Sequence, residues 1–295
     1  MGVVAVMAER GVNVDYDVII VGAGSAGSVL ANRLSQDPAR RVLLIEAGPP
    51  DRNPLIHMPL GLALLARMKA INWGWDTTPQ PALNGRRLYW PRGRTLGGSS
   101  AINAMIYMRG HPADYAAWAE AAGAAWGWER ARALFLRMER NGALTDAHHG
   151  TEGPLSVTDL PTPNPLSRAF VAAGVALGYP LRRDFNGAEQ EGVGLYQVTQ
   201  KNGRRHSAAR AFLAPARARA NLEIRTETRV HRVLFEGRRA VGVAVEGGAA
   251  RLAPGGEVIL SGGAVNSPQL LMLSGIGPGS ALRALGIAVL HDAPE

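Results

Sequence analysis

The chain has 295 residues, of which 46% are hydrophobic and 19% charged, a composition that excludes a disordered or fibrous protein and fits one large or two ordinary globular domains. It contains no cysteine, which excludes disulfides and cysteine–metal sites. The net charge of +8 comes almost entirely from scattered arginines, because Lys69 and Lys201 are the only lysines, so we expect no nucleic-acid-binding face.

No apolar run reaches the roughly 18 residues that a membrane-spanning helix needs, so we expect no transmembrane segment. Residues 1–15 include Glu9 and Arg10 and lack the layout of a signal peptide, so we expect a frayed tail or a misplaced start. The predicted location is therefore cytoplasmic, with peripheral association with a membrane left open.

A strand followed by a glycine turn and a helix opens the ordered chain. The β-branched run 17–21 leads into a turn with Gly22, Gly24 and Gly27, and a helix is predicted over 25–35. In such a turn the first glycine lets the chain reverse, the second lets a pyrophosphate approach the backbone, and the third lets the helix pack on the strand. The helix N-terminus presents free N–H groups and a positive dipole end to the phosphates.

A second strand, predicted over 41–46, ends in Glu46, which lies 19 residues after Gly27. An acidic side chain at this distance can accept hydrogen bonds from an adenosine ribose. The ordered combination of strand, glycines, helix, strand and acid predicts a dinucleotide site. A glycine-rich turn in an ordinary α/β protein would not explain Glu46.

Two tryptophans, Trp73 and Trp75, follow a predicted short helix over 60–69. They are explained either by aromatic packing in the core or by a wall of a cofactor or substrate pocket, and the sequence leaves both open.

A second glycine-rich loop lies within residues 88–105. Its glycines at 93, 97 and 98 allow a ligand to approach the backbone, and Ser99, Ser100 and Asn103 add short hydrogen-bonding side chains. A long ligand such as FAD can use two glycine loops, whereas a second tight turn remains the alternative.

The middle of the chain is predicted to be mainly helical. Helices are expected over 118–140, with a break at Gly127, and over 164–177, with Asn164 as the N-cap and Pro165 at the first helical position. The adjacent His148 and His149 are interpreted as a solvated loop rather than a metal site, because neighbouring side chains point in different directions.

The last third of the chain is predicted to return to strands. A helix is expected over 208–220, followed by a strand at 221–226 and a small meander built from 230–235 and 240–245. A buried strand over 257–260 ends in a glycine turn, and a helix is expected to begin at Ser267 with Pro268 at its first position.

Two of these segments carry a family resemblance. Residues 93–103, continuing through Tyr107 and Gly110, resemble the first signature of the glucose-methanol-choline (GMC) oxidoreductase family, to which choline dehydrogenase-like and other alcohol dehydrogenases belong. Residues 263–277 are similar to the second signature. Together with the N-terminal glycine fingerprint, the resemblance runs from about Tyr16 to the end of the chain.

The resemblance implies a fold and a cofactor. The fold expected is α/β, an FAD/NAD(P)-binding Rossmann-like doubly wound sheet with a β-meander, plus an incomplete α+β substrate domain. The FAD-binding domain is expected over 14–156 and 222–295, and the partial substrate domain over 157–221. The expected FAD-binding residues are Gly22, Gly24, Ser25, Ala26, Gly27, Glu46, Ala47, Trp73, Arg94, Thr95, Gly97, Gly98, Ser99, Asn103, Ala104, Met105, Ile106, Val230, Ser261 and Gly262.

The activity implied is FAD-dependent oxidation of a small-molecule alcohol at its CH–OH group. A base removes the hydroxyl proton and a hydride passes to the flavin. Family members are about twice as long, and none of the 7 histidines here matches the family's catalytic motif. We therefore expect a chain truncated before the catalytic histidine and assign no catalytic or metal-binding residue. An NAD(P)-dependent dehydrogenase and a non-catalytic FAD-binding fragment remain alternatives.

Overall fold

The computed structural model describes residues 15–294, so the tail expected before the first strand lies outside the described residues. The strands are β1 (Tyr16–Val21), β2 (Val42–Ile45), β3 (Trp75–Asp76), β4 (Tyr89–Trp90), β5 (Glu139–Asn141), β6 (Leu155–Val157), β7 (Gln200–Lys201), β8 (Arg204–Arg205), β9 (Leu222–Arg225), β10 (Val230–Glu236), β11 (Arg239–Val245), β12 (Gly248–Leu260), β13 (Ile276–Gly277) and β14 (His291–Asp292).

The helices lie between these strands along the chain. The α-helices are α1 (Ser25–Leu34), α2 (Pro54–His57), α3 (Leu62–Leu65), α4 (Pro112–Ala122), α5 (Trp128–Met138), α6 (Pro165–Ala176), α7 (Ala214–Ala216), α8 (Gly263–Leu273) and α9 (Gly279–Ala284). Tighter 3₁₀ turns occur at Pro59–Gly61, Pro81–Leu83, Gly98–Ala101 and Ala124–Trp126, and a π-helical turn at Ala209–Leu213.

A six-stranded mixed sheet forms the centre of the molecule, in the order β10-β11-β12-β1-β2-β9. Strands β12, β1, β2 and β9 run parallel, whereas β10, β11 and the beginning of β12 form an antiparallel meander. The long β12 joins the two parts, because Gly248 pairs with Val245 of β11 and Leu260 pairs with Val21 of β1. The predicted α/β fold with a Rossmann-like sheet and a meander is confirmed.

Alternate residues of the two central strands enter different cores, as the period of a strand requires. On one face Val18, Ile20, Val42 and Leu44 pack with α1 and the π-helical turn. On the other face Ile19, Val21, Leu43 and Ile45 pack with the meander strands and Leu270 of α8. Both faces of the parallel strands are therefore covered, which explains their uninterrupted apolar sequences.

Several predicted helix ends are correct. Asn164 caps α6 by accepting the Leu166 N–H, Pro165 occupies the first helical position, and Gly127 is the N-cap of α5. Helix α6 nevertheless contains no buried residue, and Leu166, Phe170 and Leu177 are exposed. The division of the chain at 156/157 and 221/222 stays a proposal.

Three predicted helices are wrong in detail. The helix expected over 208–220 is a π-helical turn followed by the three-residue α7, which contains Pro215; proline lacks an N–H and crowds the preceding turn, so a continuous helix is not formed. Helix α8 begins at Gly263, so Pro268 lies inside it rather than at its first position. The expected helix over 60–69 is also shorter, since α3 ends at Leu65.

Candidate functional site

A cleft of about 660 Å³ opens at the carboxyl ends of β1, β2 and β12. This is the edge at which ligands bind in open α/β sheets, because the loops that leave the strands diverge there. The cleft volume lies within the usual range for small-molecule and cofactor sites. Its lining comes from both glycine loops, the turn after β2, the start of β10 and the first turns of α1 and α8.

The two glycine loops, far apart in sequence, touch at this cleft. A Cβ atom added to Gly98 would lie 2.7 Å from the Cα of Gly24, a distance that excludes any side chain. The Gly97 N–H donates to the Ala23 carbonyl at 2.8 Å. Gly97 and Gly98 have φ angles of 90° and 53°, which glycine adopts without strain. The second loop therefore lies directly against the turn that follows β1.

The N-terminus of α1 is free to bind an anion. Its N-cap, Gly24, supplies no capping side chain, and the first turn contains no acidic residue. A Cβ added to Gly24 would meet no atom closer than 4.0 Å, so the space beside it is open cleft. Ser25 and Ala26 also line this space. Uncapped N–H groups and a positive dipole end form a suitable cradle for a pyrophosphate.

Glu46 is buried at the end of β2, yet it also lines the cleft. Its carboxylate accepts the N–H groups of Ala23 and Gly48, each at 2.9 Å. Burial raises the pKa of Glu46, and these two hydrogen bonds oppose the shift. The side chain thus fixes the first glycine turn against β2, and the remaining lone pairs of its oxygens can accept hydroxyl groups from a ligand.

Two stacked tryptophans with neighbouring arginines form part of the cleft surroundings. The rings of Trp73 and Trp75 stack with centroids 5.4 Å apart, and both residues line the cleft. The guanidinium carbons of Arg94 and Arg229 lie 5.7 and 6.0 Å from the Trp73 ring centroid. Of the two alternatives for these tryptophans, their placement favours the pocket wall, with cation–π contacts holding the rings in place.

The predicted cofactor residues fall into two groups. Those that line the cleft are Gly22, Gly24, Ser25, Ala26, Glu46, Ala47, Trp73, Gly98, Ser99, Val230, Ser261 and Gly262. Those outside the lining are Gly27, Arg94, Thr95, Gly97, Asn103, Ala104, Met105 and Ile106. The role of every one of them in binding a cofactor stays a prediction, since placement at a cleft is not binding.

The residues outside the lining have other contacts. A Cβ on Gly27 would lie 1.9 Å from the Gly22 carbonyl oxygen, so this glycine lets α1 pack on the turn. The hydroxyl of Thr95 donates to the Pro49 carbonyl at 2.8 Å. The Asn103 side chain accepts the N–H of Met105, which has an unusual φ of 63° for a residue other than glycine.

Several cleft residues were not among the expected FAD-binding residues. They include Trp75, Arg92, Gly93, Thr228, Arg229, His231 and the first turns of α8. The N-cap of α8, Gly262, also supplies no capping side chain, so a second helix N-terminus faces the cleft. Proximity in sequence to Trp73 and Val230 was an available signal for four of these residues. The first turn of α8 was missed because the helix was predicted to begin at Ser267, whereas it begins at Gly263.

The expectation of a solvated loop at His148 and His149 is wrong for His149, which is buried. Its Nδ1 lies 3.2 Å from a carboxylate oxygen of Glu139, and Glu139 also forms an ion pair with buried Arg109. This network links β5 to the loop that follows it. No group of three or more His, Asp or Glu side chains within residues 15–294 is arranged to hold a metal ion.

Among the helices of the described chain, none is both long and apolar enough to cross a membrane. The predicted location in the cell stays a prediction.

The mixed central sheet with its parallel strands, the two glycine loops in contact and the cleft at the strand ends define a protein of the Rossmann-like α/β class. The sequence model described as GMC oxidoreductase matches residues 16–289, and the chain therefore belongs to the GMC oxidoreductase family. The suspected family resemblance is confirmed over nearly the whole chain.

Curated relatives and solved structures agree with this membership. The chain is 58% identical over 285 residues to the alcohol dehydrogenase [acceptor] of Pseudomonas putida, covering 95% of this chain and 52% of that protein. It is 47% identical over 289 residues to the mitochondrial choline dehydrogenase of Homo sapiens, covering 95% of this chain and 49% of that protein.

The fold is shared with a structure of an FAD-dependent oxidoreductase from Chaetomium thermophilum, with a TM-score of 0.86 and 30% identity over 95% of this chain and 51% of that one. The chain thus spans about half the length of the proteins it matches.

Proposed function

We propose that this chain is the FAD-binding part of an oxidoreductase that oxidises the CH–OH group of an alcohol to an aldehyde or ketone. The observation that carries the proposal is the contact between the two glycine loops at the mouth of the cleft, beside Glu46. A single loop suffices for a small nucleotide, whereas a contiguous site built from two loops suits a long dinucleotide.

The residues of the cleft fit FAD. The open space at Gly24 and the uncapped N-terminus of α1 fit the pyrophosphate, and the free lone pairs of Glu46 fit the ribose hydroxyls. Trp73, Arg229 and Val230 line the same cleft as Glu46. The names of the relatives support an alcohol as substrate, and that of the Chaetomium structure supports FAD.

The chemistry divides between cofactor and protein. Bound flavin supplies the hydride acceptor. The uncapped N-termini of α1 and α8 would hold the charged groups of the dinucleotide, and Trp73 and Trp75 would line one part of its site. Glu46 fixes the turn after β1. No described residue of the cleft is assigned as the base for the substrate proton.

Titration of the purified chain with FAD, NAD⁺ and NADP⁺ tests the proposal. We expect FAD to bind and to acquire a perturbed visible spectrum, and the nicotinamide nucleotides to bind at least tenfold more weakly. Preferential binding of NAD⁺ or NADP⁺ would instead support a nicotinamide-dependent dehydrogenase. Absence of all binding to a folded chain would overturn the cofactor assignment.

A Glu46→Gln variant tests the position of the nucleotide within the cleft. The amide keeps the size of the carboxylate but removes its charge and half of its acceptor capacity, so charge-assisted hydrogen bonds worth about 1.5–3 kcal/mol are weakened. We expect FAD affinity to fall roughly tenfold or more. An unchanged affinity would show that the ribose does not contact Glu46.

A further inference from the structure

Arg205 is a buried cation outside the cleft, and the proposed function gives it no role. It ends β8, the second strand of the β7–β8 hairpin, and only 2% of its surface is exposed. Its neighbour Arg204 is exposed and lies on the same strand. Burial of a guanidinium is costly unless the surroundings satisfy its donors and its charge, so the position of Arg205 requires a physical reason.

The donors of Arg205 are directed at the second glycine loop. Its Nη1 lies 2.6 Å from the Asn103 carbonyl oxygen, 2.8 Å from Asn103 Oδ1 and 3.3 Å from the Ser100 carbonyl oxygen. Its Nε donates to the Ile56 carbonyl at the end of α2, at 2.8 Å. One side chain therefore joins two segments that are about fifty residues apart in sequence.

The hydrogen bonds from Arg205 hold residues that are linked to the part of the second glycine loop lining the cleft. Ser99 lines the cleft, and the Asn103 N–H donates to the Ser99 carbonyl at 2.9 Å. The hydroxyl of Ser100 bonds the Gly97 carbonyl at 2.6 Å and accepts the Ala208 N–H at 2.9 Å. Displacement of Asn103 would therefore be transmitted to Gly98, whose backbone rests on Gly24.

The charge of Arg205 is not neutralised within the described residues. No carboxylate there lies within salt-bridge distance of it, and its buried Nη2 has no hydrogen-bond partner. Burial lowers the pKa of Arg205 to about 10, which still leaves it charged at neutral pH. Carbonyl dipoles alone therefore surround a full positive charge behind a loop that lines the proposed cofactor cleft.

We propose that Arg205 is a positioning residue for the cofactor: its guanidinium clamps residues 100–103 so that the second glycine loop is ordered against Gly24 before a dinucleotide binds. Its uncompensated charge also favours an anionic ligand on the other side of the loop. This inference rests on the proposed function for the identity of the ligand, but the order of the loop is a property of the chain itself.

Three variants separate the clamp from general stability. Arg205→Met removes both the guanidinium donors and the positive charge, whereas Arg205→Lys keeps the charge but loses the planar set of donors. Arg204→Met is the control, because it removes an arginine from the same strand that does not contact the loop. For each, FAD dissociation constants are measured by flavin fluorescence. Hydrogen exchange of peptides covering residues 97–105 is measured without FAD, as is the unfolding midpoint in urea.

We expect both Arg205 variants to bind FAD at least tenfold more weakly than the wild type, and residues 97–105 to exchange at least tenfold faster. The Lys variant should lose less affinity than the Met variant, because it retains the charge. Arg204→Met should behave like the wild type. Should Arg205→Met fail to fold, Arg205→Lys decides through the same two readouts.

Two outcomes would overturn the inference. One is a lower unfolding midpoint with unchanged FAD affinity and unchanged exchange of residues 97–105, which would make Arg205 merely structural. The other is an equal effect of Arg204→Met. If the wild type binds no FAD, the proposed function fails, while the exchange of residues 97–105 still tests the clamp.

Discussion

At the scale of single residues, Gly24 and Gly27 have opposite physical roles although they belong to one turn. A side chain at Gly24 would meet open cleft, whereas one at Gly27 would collide with the Gly22 carbonyl oxygen at 1.9 Å. The absence of a side chain at Gly24 therefore leaves space for a ligand, and its absence at Gly27 lets α1 pack on the turn.

Replacement of each glycine by alanine tests this contrast. Gly24 has φ −72° and ψ −159°, which alanine adopts readily, so we expect Gly24→Ala to fold normally and to bind FAD roughly tenfold more weakly because its methyl group occupies the pyrophosphate space. Gly27→Ala should lose about 3 kcal/mol or more of unfolding free energy because backbone must move. Urea unfolding and FAD titration of both variants measure these effects, and a normally stable Gly27→Ala chain would contradict the packing.

The buried pair of His149 and Glu139 predicts a pH dependence of stability. Burial disfavours the charged imidazole, but the hydrogen bond and the charge of Glu139 raise the pKa of His149 above its usual 6.5. The same partner contacts lower the pKa of Glu139 despite its burial. A raised histidine pKa stabilises the fold fully below about pH 6.5 and loses this contribution as pH rises through the folded-state value.

We expect His149→Gln to be less stable than the wild type by about 3 kcal/mol at pH 6, because it leaves a buried carboxylate with one partner fewer. The difference in unfolding free energy between His149→Gln and the wild type should be smaller at pH 9. Burial lowers the pKa of His206 to about 4, so this residue destabilises the fold as pH falls below 6.5. His206 is present in both the wild type and the variant, so its contribution cancels in the difference. Urea unfolding at both pH values is the measurement, and a difference that grows with pH would refute the ion pair.

At the scale of elements, helix α6 is exposed on its apolar side. Leu166 and Phe170 are 78% and 75% exposed, four residues apart and hence on one face. Such a face favours self-association in water. Local signals place the helix correctly, since its N-cap and proline suffice to start it, but they do not say what packs against it.

We expect Phe170→Asp to reduce concentration-dependent self-association of the chain while changing the unfolding free energy by no more than about 0.5 kcal/mol, because an exposed side chain contributes little to the fold. Leu285→Asp, a change of the same charge at a residue that is 68% exposed beyond α9, is the matched control. Sedimentation velocity at several concentrations measures association. Equal effects of the two changes would show that charge, and not the α6 face, governs solubility.

At the scale of the whole molecule, cofactor binding and turnover should be separable in this chain. His231 is the one histidine among the described residues that line the cleft, and it follows Val230, one of the expected FAD-binding residues. A general base typically contributes about 10²–10⁴-fold to a rate. None of the 7 histidines matches the family's catalytic motif, so we expect this chain to supply no base for the substrate proton.

We expect the FAD-loaded chain to turn over choline, short alcohols and aryl alcohols far below about 1 s⁻¹ with a dye acceptor, the ordinary lower range for enzymes. Flavin binding, followed by its absorbance, is the internal control that the site has formed. Turnover near 1 s⁻¹ or above would show that the chain carries its own base.

The sequence by itself determined the strand–turn–helix unit, the acid at the end of β2 and the strand that ends at Leu260. These follow from local rules: apolar runs form buried strands, glycines permit tight approach, and a proline behind an asparagine starts a helix. It also identified the two glycine loops, because each has a compact signature within about ten residues.

Only the tertiary structure decided which of these residues face one cleft. The contact of Gly24 with Gly98, the two arginines around Trp73, the burial of His149 and the clamp from Arg205 to Asn103 all join residues distant in sequence. Such contacts depend on how strands order themselves in the sheet and on which loops then meet at its edge. Periodicity and turn chemistry describe a neighbourhood of a few residues, so they carry no information about these distances.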